Sequence, residues 1–137
     1  MLVEVKVKTA RTVDNKTRKK TETYLLEKEF FSEAEYKVTS DLTEEIDSKL
    51  LDSYEIQSLR ISPIKEVVQT KGNNSFIATL KDVWVDTDGT EKQLKYKVLL
   101  WADNLTEANQ NAQALARQCY DMQIEGIKQV DYFYIEK

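Results

Sequence analysis

The chain has 137 residues, 41% of them hydrophobic and 32% charged, with a formal net charge of −4. That composition suits one ordinary domain with a real core, which excludes a disordered chain and two large domains. No apolar run approaches the roughly 18–20 residues of a bilayer span, and the alternating start Met1-Leu2-Val3-Glu4-Val5-Lys6 is no secretory signal, so a cytoplasmic protein with no membrane partner is expected.

Val3, Val5 and Val7 alternate with Glu4, Lys6 and Lys8, the period-2 pattern of a half-buried strand. Asp14-Asn15 favours the positive φ angles of a tight hairpin turn, and Tyr24-Leu25-Leu26 belongs to the returning strand. Ser32-Glu33-Ala34-Glu35 has the form of a capping box opening a helix, whose stripe is Ala34, Val38, Leu42 and Ile46. A strand follows at Ile56-Gln57-Ser58-Leu59-Arg60-Ile61, and 69–74, with Gly72-Asn73-Asn74, reads as a linker.

The same order then returns. Residues 2–34 align without a gap to 76–108, an offset of 74 that sets Asp14-Asn15 over Asp88-Gly89 and Tyr24-Leu25-Leu26 over Val98-Leu99-Leu100. Leu94, Tyr96, Val98 and Leu100 form an apolar face against Lys95 and Lys97, and Thr106 stands where Ser32 caps the first helix. Ala108, Ala112, Leu115, Ala116 and Cys119 make the second helical stripe. At an offset of 68, Ile124-Glu125-Gly126-Ile127-Lys128-Gln129 matches the strand at 56–61. The expected fold is α+β: a single domain, 1–137, of two ββαβ units at about 1–68 and 75–137 with pseudo-two-fold symmetry. An antiparallel-rich sheet would carry both helices on one face.

The segment Lys20-Thr21-Glu22-Thr23-Tyr24-Leu25-Leu26, followed by Phe31-Ser32-Glu33-Ala34-Glu35, resembles an uncharacterised family of Bacteroidetes and their gut phages, domain of unknown function 4494. The resemblance covers nearly the whole chain, although its distinctive residues sit in the first half. It implies a source and a fold, and it brings no catalytic residues with it.

Chemistry is sparsely represented. With no histidine, neither Ser-His-Asp nor Cys-His activation is available, nor is a histidine-containing zinc site. Cys119 falls on the apolar stripe, as a core residue would. Glycine occurs only at 72, 89 and 126, which excludes phosphate-cradling loops and the usual nucleotide cofactors. Asp86-Thr87-Asp88-Gly89 resembles part of a calcium loop, but Trp84 takes the place of the first ligand, so a turn is expected there and no metal. The expectation is a protein that is not an enzyme and has no cofactor.

Surfaces remain. Residues 1–22 carry seven cations against three anions, a net of +4 that leaves −8 for the rest. This division points to single-stranded nucleic acid as a partner. Lys6, Lys8, Arg11, Arg18, Lys19, Lys20, Lys95 and Lys97 would neutralise phosphates, and Tyr24, Trp84 and Trp101 would stack on bases; Lys81, Lys92 and Tyr132 are further candidates. Against it stands a plainer reading, in which lysines protect exposed strands and the aromatics fill the core. The alternative function is a protein-interaction or assembly module forming homo-oligomers through strand edges.

Overall fold

A computed structural model of the chain describes residues 1–117 and 122–135. Its elements run β1 (Leu2–Val13), β2 (Lys16–Glu27), α1 (Phe31–Asp47), β3 (Ser53–Ile61), β4 (Ile64–Val67), β5 (Asn74–Val85), β6 (Glu91–Ala102), α2 (Leu105–Leu115), β7 (Gln123–Val130) and β8 (Tyr132–Ile135). The α+β class and the repeated order hold. Each half gains a short fourth strand, β4 or β8, and the strands form two four-stranded mixed sheets, each with one helix, in place of one sheet.

The sheet orders are β3-β1-β2-β8 and β4-β6-β5-β7. By contacts the chain divides into Met1–Ser62 joined by β8, and Pro63–Asp131. Strand β4 follows β3 in sequence but pairs in parallel with β6, and β8 follows β7 but pairs in parallel with β2. Each unit therefore takes its parallel edge strand from the other half of the sequence.

In the first unit Ala34, Val38 and Leu42 of α1 pack on Val3, Val5, Val7, Tyr24 and Leu26. In the second, Ala108, Ala112 and Ala116 meet Phe76, Ala78, Leu80, Val98 and Leu100. Cys119, expected on this stripe, lies outside the described residues. The two cores balance volume differently: large helix residues oppose valines in one, and alanines oppose Phe76 and Leu80 in the other. That exchange keeps an interior close-packed.

The registers correct the ungapped alignment. Strand β1 meets β3 with Val5 opposite Leu59 and Val7 opposite Ile56, across a bulge between Lys6 and Val7. Strand β5 meets β7 with Ala78 opposite Ile127 and Leu80 opposite Ile124, across a bulge between Thr79 and Leu80. Val5 and Val7 thus correspond to Ala78 and Leu80, one position earlier than the offset of 74 puts them. The cause is the turn. Asp14 and Asn15, both at positive φ, form a two-residue loop, whereas 86–90 is a five-residue loop closed by Gly89 at φ 84. With Thr12 opposite Thr17 matched to Val85 opposite Glu91, the second hairpin holds one residue more. One residue reverses the facing of every side chain on the preceding strand.

The helix starts also move. Both begin two residues before the expected caps: Phe30 is the N-cap of α1, with no side-chain hydrogen bond, and Asn104 caps α2 by accepting from the Glu107 N–H at 2.9 Å. Ser32 lies inside the first turn of α1 and Thr106 inside that of α2, so neither acts as a cap. Among the described residues no helix is long and apolar enough to cross a membrane.

Candidate functional site

Each hairpin outruns its flanking strands. Pairing of β1 with β3 stops at Ala10 and that of β2 with β8 begins at Thr23, so the ribbon beyond extends past both flanking strands as an arm, held at its root by Arg11 to Glu45 and by Thr12 to Asp52. In the second unit pairing with β7 stops at Lys81 and pairing with β4 begins at Lys97. Twelve-residue strands at about 3.3 Å per residue make each hairpin roughly 40 Å long.

Alternation assigns every strand residue to the face packed on the helix or to the helix-free face. Six of the eleven principal candidates lie on the helix-free face of their own sheet: Lys6, Lys8 and Lys19 in the first unit, and Lys95, Lys97 and Trp101 in the second. Lys8, Lys19 and Lys95 are exposed, while Lys6, Lys97 and Trp101 are half-buried. The other five face the helix side. Tyr24 is buried in the core, stacked on Phe133 with ring centroids 5.2 Å apart, and is no platform for a base. Arg11 is held in an ion-pair network, Arg18 and Lys20 are exposed along the arm, and Trp84 is 44% exposed near the second arm's tip.

The corrected register also places the further candidates Lys81 and Tyr132 on the helix-free face of their own sheets, and Lys92 on the helix side. Lys81 stands where Lys8 does, one opposite Lys95 and the other opposite Thr21. Arg60, opposite Glu4, matches Lys128, opposite Ile77. Tyr132 and Tyr134 reach the same face of the first unit through β8, opposite Thr23 and Leu25. The offset of 68 already aligned Arg60 with Lys128, so that signal was legible; the slipped offset of 74 hid the equivalence of Lys8 and Lys81.

Carboxylates on this face are largely spent. Arg60 pairs with the fully buried Glu4, the N-terminal amine with Glu27 at 2.7 Å, and Lys95 with Glu125 at 3.0 Å. Among the described strand residues, register also places Glu55 on the helix-free face of the first unit with Lys6, Lys8 and Lys19, and Glu91 on that of the second with Lys81, Lys97 and Lys128. At the root of the first arm Lys8 and Lys19 line a depression of about 250 Å³ with Ser53 and Glu55.

The helix side is built differently. Arg11 donates through Nε and Nη2 to both oxygens of Glu22, at 3.0 and 2.9 Å, and through Nη1 to Glu45 of α1 at 3.2 Å. Tyr24 and Thr9 donate to Glu22 as well, at 2.7 and 3.1 Å. Burial pushes the Glu22 carboxyl up, but the hydrogen bonds from Arg11, Tyr24 and Thr9 and the Arg11 charge outweigh it and hold it below the ordinary value. Burial and the adjacent Glu22 push the Tyr24 phenol well up. The network borders a cleft of about 520 Å³ with Asp41, Glu44 and Phe133, and its polar groups satisfy one another.

Asp86 and Asp88 shape the second turn. Their Oδ1 atoms accept from the N–H groups of Thr87 and Thr90, at 2.8 and 2.9 Å. Among the described residues no three acidic or thiol side chains are grouped to hold a metal.

A protein-family model described as "Domain of unknown function (DUF4494)" matches residues 1–135. The chain belongs to this family. No curated protein and no solved structure matches it. In this DUF4494 chain the segment that carried the resemblance does structural work: Glu22 and Tyr24 belong to the Arg11 network, and Leu26 lies in the first core.

Proposed function

We propose that this DUF4494 protein is a non-catalytic binding module for single-stranded nucleic acid, which it engages on the helix-free sheet faces. The observation that carries the reading is the matched placement of cations. Lys8 corresponds to Lys81 and Arg60 to Lys128; Lys6 and Lys19 lie on the helix-free face of the first unit, and Lys95 and Lys97 on that of the second. Repeated cations at strand spacing track a phosphate backbone, and Trp101, Tyr132 and Tyr134 supply aromatic surface beside them. Arg11 and Tyr24 drop out of the interface, because the first unit uses both to join sheet to helix.

The test is a fluorescence-anisotropy titration of a labelled oligothymidine, beside a duplex of equal length, at low and moderate salt. Binding that prefers the single strand and weakens steeply with salt is the expected result. Absence of binding at low salt overturns the reading.

A second reading, a protein-interaction or assembly module, is supported by a different observation. Val83, Trp84, Val85 and Leu94 are all exposed on the second arm, a concentration of apolar side chains that marks contact surfaces.

A further inference from the structure

We propose that the second hairpin arm docks on the first hairpin arm of another copy of this chain. The proposal rests on the assembly reading and is independent of nucleic-acid binding.

The arms are equivalent in the repeat and opposite in character. Residues 9–20 hold five cations and one anion, net +4, whereas the matching 82–94 hold four anions and one cation, net −3. Two second arms repel each other, and so do two first arms; only the mixed pairing is attractive. Within the second arm Trp84 takes the position that Arg11 has in the first. There Arg11 is tied down to Glu22 and Glu45, while Trp84 remains 44% exposed with Val85 at 69%. Past the flanking strands, both long edges of each ribbon offer backbone groups to a further strand.

Each feature has its counterpart on the opposite arm. Arg18 and Lys16 are exposed on the helix-side face of the first arm, the same side that bears Trp84 in the second, and a guanidinium over an indole face is a favourable contact. Asp86 and Asp88 at the second tip supply charges for Lys16, and the backbone N–H of Thr90 holds the Asp88 carboxyl below its usual range, in its charged form. The exposed Val13 of the first arm meets the apolar strip of the second. Such a contact is heterologous: each copy uses one arm to give and the other to receive, so association continues into rings or open chains.

The experiment is sedimentation velocity on nuclease-treated full-length protein over a concentration series at low salt. Species larger than a monomer are expected to grow with concentration and shrink with added salt. Arg18→Glu and the pair Asp86→Lys with Asp88→Lys should each weaken association more than about tenfold. Mixing the two variant proteins should restore a pairwise complex, because the unaltered second arm of one meets the unaltered first arm of the other; circular dichroism verifies that each variant is folded. A wild-type monomer at every concentration overturns both this proposal and the assembly reading. Self-association that neither charge reversal alters overturns the arm-on-arm contact and leaves the assembly reading standing.

Discussion

Arg11 and Trp84 occupy the same position in the two hairpins, yet one is clamped to its helix and the other stands in solvent. Arg11 bonds Glu22 across the hairpin and Glu45 on α1. Tyr96 stands at the place of Glu22 in the second unit and donates weakly to Glu66 at 3.4 Å. A shared frame has thus been given a structural polar network in one half and an exposed apolar arm in the other.

The network sets a pH dependence. The folded-state pKa of Glu22 lies below its ordinary value, so its contribution to stability is complete above about pH 5 and is lost as pH falls through the lowered value. Glu22→Gln should cost about 2–3 kcal/mol at neutral pH, since it leaves Arg11 without its bidentate partner. Urea midpoints measured from pH 7 down to pH 3 check this. The wild type should lose stability on acidification and the variant should lose less; parallel curves would sink the assignment.

The unequal helix caps make a paired prediction. Asn104→Ala removes the bond to the Glu107 N–H and should cost about 1 kcal/mol. Phe30 is an exposed N-cap with no side-chain bond, so Phe30→Asp should stabilise α1 by about 0.5–1 kcal/mol. Thermal melts of the two variants should move in opposite directions.

Two glycines should respond oppositely to a methyl group. A Cβ on Gly72 would lie 2.3 Å from the backbone of Ala102, which is buried and paired in β6, whereas a Cβ on Gly126 meets nothing within 4 Å. Gly72→Ala should therefore cost about 3 kcal/mol, and Gly126→Ala should stay within about 0.5 kcal/mol of wild type. Chemical denaturation of both, side by side, gives the comparison.

The equivalence of Lys8 and Lys81 can be tested on the oligonucleotide. Lys8→Glu and Lys81→Glu should each weaken binding and lower the salt slope by about one. Lys37→Gln removes a cation from α1 that pairs with Asp41, and should change affinity little. Equal losses in all three variants would indicate nonspecific charge attraction in place of a face.

The amino-acid sequence by itself determined the local elements and their repetition. Alternation at Val3, Val5 and Val7 marked a strand, Asp14-Asn15 marked a turn, and Ala34, Val38 and Leu42 marked a buried helix face, because each signal is a period or a dihedral preference carried by neighbouring residues. Only the tertiary structure decided which face each lysine joins, since one residue within a loop leaves every local pattern intact but reverses the strand before it. Only the tertiary structure, too, sent β4 to β6 and β8 to β2, for pairing between distant strands is settled by backbone partners that no local pattern names. The division of the candidate site follows from the same cause: Lys8 and Lys19 share a face while Arg11 and Tyr24 are drawn inward, because strand parity and the reach of α1 were fixed by packing.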